Sequence, residues 1–158
     1  MYYGKGVSRL PKILRLNIDT VTINAGNVPW GGGNRDILIH TGSSEFYKNF
    51  WEGDIIEETL VHEAAHTSLD PRIYNTEAWH AAVAEDGKYI SDYAREFPRR
   101  EDVAETFVVW LATRCSKDTM TTEKLAEWEG HMGARFAYFD EMAFTGDMLS
   151  PWTSCSPP

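Results

Sequence analysis

The chain lacks any long run of apolar residues, and its basic residues are few. Among its 158 residues, no apolar stretch approaches the roughly 20 that a helix needs to cross a bilayer, so we expect no membrane span. Fifteen Lys and Arg stand against 24 Asp and Glu, a net charge of −9, and Arg99 with Arg100 is a pair, not a basic patch. Because such a chain repels phosphate backbones and anionic lipid surfaces, we expect no nucleic-acid partner.

Cysteine is also scarce. Cys115 and Cys155 are the two cysteines, and they are either free thiols or one disulfide that ties the C-terminal tail to the body. Since Cys155 lies in a tail rich in Ser and Pro, where an exposed thiol is reactive, we favour the disulfide and a secreted or extracytoplasmic location. The first six residues lack the apolar core of a signal peptide, so either the protein is cytoplasmic or a signal was removed.

Internal repeats and domain linkers are missing as well. A chain of this length with 42% hydrophobic and 25% charged residues is expected to form one globular domain over 1–158. The run Gly31-Gly32-Gly33 is not followed by Gly-Lys-Ser/Thr, and no helix pattern starts there. We therefore interpret this run as a flexible loop and not as a phosphate-binding loop.

Hydrophobic periodicity divides the chain into a sheet-rich part and a helical part. Alternation and β-branched residues predict strands over 13–18, 20–23 and 36–40 within a sheet-rich segment 1–50. An apolar stripe predicts a helix over about 53–69, stopped by Asp70-Pro71. The predicted fold class is α+β, and its helical half, 76–140, precedes a tail over 141–158. The further helices are expected over 76–84, 89–96, 99–117 and 122–139.

The helix predicted over 53–69 carries two histidines four residues apart. In His62-Glu63-Ala64-Ala65-His66 both imidazoles lie on one helical face, where they can bind the same metal ion. Glu63, one residue on, can reach a water molecule bound to that ion, which is the arrangement of a zinc hydrolase. The alternative is a pair of surface histidines beside a solvated glutamate.

A zinc site of this kind needs a third protein ligand. Glu101 and Glu105 lie four residues apart on an otherwise apolar helix, and a metal site would use one as ligand and the other to orient a ligand histidine. Leu69 and Arg72 stand where a metzincin would have Gly and its third ligand. Three more histidines suit a metal chemically but lack a recognisable ligand spacing: His40, His80 and His131.

These segments resemble the gluzincin metallopeptidases, most closely the catalytic domain of anthrax lethal factor. The likeness rests on His62-Glu63-x-x-His66, Ser91-Asp92-Tyr93-Ala94 and Glu101-x-x-x-Glu105, and it covers about residues 55–112. It implies one zinc ion held by His62, His66 and Glu101, with Glu63 as general base. It also implies Tyr93 as donor to the oxyanion and Glu105 as the residue behind a ligand histidine. Glu105 as the ligand and Tyr93 as a buried core aromatic are the alternatives.

The resemblance further implies a zincin-like fold, in which an edge strand above the active-site helix pairs with an extended substrate. The last strand before that helix is 36–40, so Ile37, Leu38, Ile39 and His40 are expected to bind substrate. The expected function is a zinc-dependent endopeptidase acting on a peptide or protein, and the net charge favours neutral or cationic peptides. Two other classes stay open: a zincin-fold binding or toxin-like module without peptidase activity, and a zinc hydrolase of a non-peptide amide.

Overall fold

The computed structural model describes residues 2–44, 55–116 and 120–157, and their fold is α+β. A small three-stranded sheet and a mostly helical remainder are confirmed. Within these ranges, no helix combines the length and the apolar character that crossing a membrane requires. Residues 53, 54 and 117, which the predicted helices included, lie outside the described residues. The elements are α1 (Tyr2–Arg9), α2 (Lys12–Arg15), β1 (Thr20–Asn24), β2 (Gly31–Gly33), β3 (Asp36–His40), α3 (Ile55–Ser68), α4 (Asp70–Ile73), α5 (Glu77–Asp86), α6 (Asp92–Glu96), α7 (Pro98–Cys115) and α8 (Thr122–Ala143).

The sheet has the strand order β1-β3-β2, so β3 is its central strand. β3 pairs with β1 in parallel along its whole length and with β2 in antiparallel fashion from Asp36 to Leu38. The expectation that 36–40 is an edge strand is therefore wrong, and the assignment of Ile37, Leu38, Ile39 and His40 to substrate binding loses its basis. The physical reason is the strand at Gly31–Gly33, which takes the edge next to α3.

The segment before the sheet is helical, which contradicts the strand predicted over 13–18. Ile13 and Leu14 are adjacent in sequence and both buried, whereas Leu16 is 45% exposed. That pattern fits a helical turn and not the alternation of a strand. The turn is fixed to the other end of the chain, because the N–H groups of Lys12 and Ile13 donate to the carbonyls of Ser150 (2.8 Å) and Met148 (2.9 Å).

The glycine run forms strand β2 and not the flexible loop that the sequence suggested. β2 crosses α3 so closely that a Cβ on Gly32 would lie 1.9 Å from the carbonyl oxygen of Glu63. Thr67 joins the two elements, since its Oγ1 accepts from Gly33 N–H (2.9 Å) and lies 2.8 Å from the carbonyl oxygen of Asp36. Glycine is required here because any side chain would push the strand off the helix.

The hydrophobic core includes buried residues of α3, α7 and α8. α3 packs against α7 and β2, while α8 packs against α5 and α7. The expected disulfide between Cys115 and Cys155 is confirmed, and it joins the end of α7 to the C-terminal tail. These contacts hold α3 and α7 side by side, which is the geometry on which the site depends. The fully buried aromatic side chains among the largest of the core are Trp79, Phe107, Trp110, Phe136 and Phe139.

Candidate metal centre

Helix α3 presents its two histidines on the side that faces away from the apolar core. Leu60, Val61 and the two alanines of the motif are buried, and the small alanines let neighbouring elements approach closely. The side chains of His62 and His66 keep 24% and 14% of their surface exposed. The helix therefore buries its apolar face and leaves both imidazoles at the boundary between protein and solvent.

His62, His66 and Glu101 come together as a group that could hold a metal ion. The Nε2 atoms of the two histidines lie 3.0 Å apart, and Oε2 of Glu101 lies 3.4 Å from each of them. Four ligands at about 2.1 Å around a tetrahedral zinc ion are separated by about 3.4 Å. The three donor atoms thus have the spacing of a tetrahedral set, and Glu101 is the carboxylate that joins the histidines.

The buried oxygen of Glu101 gives an independent test of this assignment. Glu101 is 4% exposed, and its Oε2 has no hydrogen-bond partner among the described residues. Burial by itself would raise the pKa of Glu101, but His62 and His66 outweigh it and hold that pKa well below its usual range. An ionised, buried oxygen between two imidazole nitrogens fits a divalent cation, and two nitrogens with one carboxylate oxygen suit zinc.

Asp70 holds the second histidine in place, a role that the sequence reasoning gave to Glu105. Nδ1 of His66 donates to Oδ2 of Asp70 at 2.8 Å, which turns Nε2 toward the cluster. Burial acts to lower the pKa of His66, but the hydrogen bond to Asp70 and the nearby carboxylate of Glu101 outweigh it and raise that pKa to about 10. The signal was present in the sequence, because Asp70 follows His66 by four residues, the same interval that joins the histidines.

Glu105 has a different partner. Its Oε2 accepts a hydrogen bond from Oγ of Ser91, and no contact between Glu105 and a ligand histidine is found among the described residues. Ser91 also accepts from the N–H of Ala94 and so caps the start of α6. Glu105 therefore fixes the short helix that carries Tyr93, and the expectation for it is corrected: one turn beyond Glu101, its side chain reaches α6 and not α3.

Glu63 and Tyr93 lie at the edge of the same cluster. Glu63 is 8% exposed, and burial raises its pKa against the opposing charges of His62 and His66, while the backbone N–H of Gly32 hydrogen-bonds its carboxylate. Tyr93 is 48% exposed, so it is not a buried core aromatic. The negative charge of Glu101, above all, raises the pKa of Tyr93 and keeps its hydroxyl a hydrogen-bond donor at neutral pH.

A buried arginine, which the sequence reasoning missed, anchors the first turn of α7. Arg135 of α8 is fully buried, and its Nε donates to Asp86 at 2.8 Å while its Nη1 donates to Asp102, the neighbour of Glu101. The position of Glu101 thus depends on α5 and α8. The sequence holds no signal for this, because an arginine in an amphipathic helix is usually solvated.

The other histidines lie away from the cluster. The group found among the described residues contains His62, His66 and Glu101, and neither His40, His80 nor His131 joins it. Nε2 of His80 instead lies 2.7 Å from the carbonyl oxygen of Tyr74. Beside the cluster, a cavity of about 200 Å³ is lined by Gly32, His66, Asp70, Arg99, Arg100 and Glu101.

No protein-family model matches the chain, and neither a curated protein nor a solved structure matches it. The likeness to gluzincins thus rests on short motifs. Function is consequently argued from the chemistry of the site itself.

Proposed function

We propose that the protein is a zinc-dependent endopeptidase of the gluzincin type, with His62, His66 and Glu101 as zinc ligands. The observation that carries the proposal is the buried Oε2 of Glu101, which has no hydrogen-bond partner in the described part of the chain and lies 3.4 Å from both imidazole nitrogens. The presence of Glu63 beside the ligands supports hydrolysis over a purely structural metal site, since a structural site has no need of a buried carboxylate there.

Each residue around the cluster has a definable role. When bound, zinc supplies a Lewis acid that lowers the pKa of a water molecule and polarises a substrate carbonyl. Glu63 takes a proton from the attacking water at its carboxylate and passes it to the leaving amine. The raised pKa of Glu63, caused first by burial, brings its proton affinity closer to that of a base working near neutral pH.

Two further groups shape the reaction. The Tyr93 hydroxyl, kept protonated by the nearby charge of Glu101, donates a hydrogen bond to the oxyanion that develops on the substrate. Gly32 holds the Glu63 carboxylate through its backbone N–H, so the edge strand β2 orients the general base. Asp70 keeps the proton of His66 on Nδ1, so that the unprotonated Nε2 faces the proposed metal position.

The proposal is tested by measuring zinc content and peptide cleavage on the same preparations. We expect about one zinc per chain by elemental mass spectrometry, lost in His66→Ala and retained in the control His131→Ala. Glu63→Gln should keep zinc but lose cleavage of a mixed peptide library, while Glu85→Gln, the same change at an exposed position, should keep both. A zinc content near zero contradicts the metal site. Zinc binding without cleavage contradicts the peptidase and leaves the metal site standing.

A further inference from the structure

The cavity beside the metal centre has a cationic wall, although the protein as a whole carries a net charge of −9. Two of its six lining residues are Arg99 and Arg100, from the first turn of α7. The same cavity is lined by His66 and Glu101, so it opens directly onto the proposed zinc ligands. Any group that enters it lies next to the place where the reaction would occur.

The guanidinium of Arg100 is available to a ligand. Its side chain is 73% exposed, and its nearest anionic partner is Oε1 of Glu101 at 4.0 Å, which is beyond hydrogen-bond distance. Within the described residues, no hydrogen bond engages the N–H groups of the Arg100 side chain. Arg100 also acts to lower the pKa of Tyr93, which places its charge near the proposed oxyanion donor. Arg99 is more restrained, because its guanidinium lies 5.6 Å from the centre of the Tyr74 ring.

The acidic residues of the cavity make their shortest contacts with the histidines and not with these arginines. Asp70 accepts from His66 at 2.8 Å, and Glu101 has its buried Oε2 between the two histidines. Asp70 and Oε2 of Glu101 thus face the histidines and the cation they are proposed to hold, while Oε1 of Glu101 lies 4.0 Å from Nη2 of Arg100. The positive charge of Arg100 is left for whatever occupies the cavity.

We propose that this cavity is a subsite for a carboxylate, and that the enzyme selects peptides with an acidic group next to the scissile bond. The inference rests on the proposed function, and it reverses the preference for neutral or cationic peptides that net charge alone suggested. Arg100 binds the carboxylate by charge-assisted hydrogen bonds, and Arg99 adds to the local positive charge. The carboxylate comes either from an Asp or Glu side chain or from a free peptide C-terminus.

Two small probes test the subsite without requiring catalysis. N-hydroxysuccinamic acid carries a metal-binding hydroxamate and a carboxylate, and its amide counterpart replaces only the carboxylate. We expect the acid to bind the zinc-loaded protein about tenfold more tightly than the amide in calorimetry. This advantage should disappear in Arg100→Gln and reverse in Arg100→Glu. Arg95→Gln is the matched control, because Arg95 pairs with exposed Asp92 on α6 and should keep the full selectivity.

Peptide cleavage then identifies the source of the carboxylate. Matched peptides carry Glu or Gln at the positions flanking the cleaved bond, each with a free or an amidated C-terminus. If peptides with Glu are cleaved faster than those with Gln, the subsite binds acidic side chains. If amidation of the C-terminus slows cleavage, the subsite binds a free C-terminal carboxylate. Either effect should weaken about tenfold in Arg100→Gln relative to Arg95→Gln.

The outcomes separate this inference from the proposed function. Equal binding of both hydroxamates to the zinc-loaded protein overturns the carboxylate subsite and leaves the metal centre intact. Carboxylate-selective binding that depends on Arg100, without cleavage of any peptide, supports the subsite and overturns the peptidase. Failure of both probes to bind the zinc-loaded protein overturns the subsite together with the accessible metal that the proposed function needs.

Discussion

Replacing Asp70 with alanine is expected to weaken zinc binding by about 10- to 100-fold. The lost contact is the hydrogen bond of 2.8 Å between Oδ2 of Asp70 and Nδ1 of His66, whose side chains are only 19% and 14% exposed. A hydrogen bond to a charged group contributes about 1.5–3 kcal/mol, and each 1.4 kcal/mol is about a factor of ten in affinity. Without it, the His66 ring rotates more freely and its Nε2 lone pair is no longer fixed on the cluster.

Competition with a chromophoric zinc chelator measures the dissociation constant directly. The zinc dissociation constant of Asp70→Asn should lie between those of the wild type and Asp70→Ala, because the amide oxygen still accepts a hydrogen bond from Nδ1 but carries no charge. Asp92→Asn is the matched control, since the Asp92 side chain is 92% exposed and lies on α6. A dissociation constant for Asp70→Ala within twofold of the wild type, in a protein with unchanged circular dichroism, would refute the reasoning.

Three other predictions concern the strand contact, the proton balance and the disulfide. Gly32→Ala should lower the free energy of unfolding by about 1–3 kcal/mol in urea, because the clash is with backbone, whereas Gly130→Ala, with open space at its Cβ, should not. Since the pKa of His66 in the metal-free protein is about 10, zinc binding at pH 8 should release about one proton in calorimetry with buffers of different ionisation enthalpy. Zinc affinity should then rise about tenfold per pH unit. A zinc affinity that does not change with pH contradicts the coupling between deprotonation of His66 and zinc binding. Cys115→Ser with Cys155→Ser opens a bridge between residues 40 apart and should cost about 4 kcal/mol in urea.

The sign of the proton effect follows from the direction of the His66 pKa. Because this pKa is raised from 6.5 to about 10, protonated His66 stabilises the metal-free fold. That contribution is fully present below pH 6.5 and is lost as the pH rises through about 10. Raising the pH thus lowers the folding stability of the metal-free protein while it raises the affinity for zinc. The gain in stability on adding zinc should therefore grow from pH 6.5 to pH 9 in thermal unfolding.

The helices α3, α5, α6, α7 and α8 and the three candidate metal ligands could be predicted because their signals are local. The interval between His62 and His66 fixes both side chains on one face of any helix, whatever surrounds it. The interval between Glu101 and Glu105 likewise identifies a candidate carboxylate without reference to the rest of the chain. The structure brings these three residues together, as the sequence indicated.

The edge of the sheet could not be predicted in the same way. Gly31–Gly33 forms a strand because α3 passes underneath it, and strand propensity argues against three glycines in a row. α1 is a similar case, since Gly4 and Gly6 lower its intrinsic helicity, and a Cβ at Gly6 would lie 2.5 Å from Cδ1 of Leu60. In both places glycine is selected by close approach to α3, which a sequence does not reveal.

The contact between the two ends of the described fold has a consequence for the order in which the protein matures. Backbone carbonyls of Met148 and Ser150 hold the turn that includes Leu14, and the carbonyl of Leu14 accepts a hydrogen bond from Ser68, two residues beyond His66. During synthesis the candidate ligands His62, His66 and Glu101 emerge from the ribosome well before residues 148–150 do. We therefore expect the proposed zinc site to take its final shape only after residues 148–150 have been synthesised, so that a nascent chain stalled before them would carry His62, His66 and Glu101 without the framework that positions them.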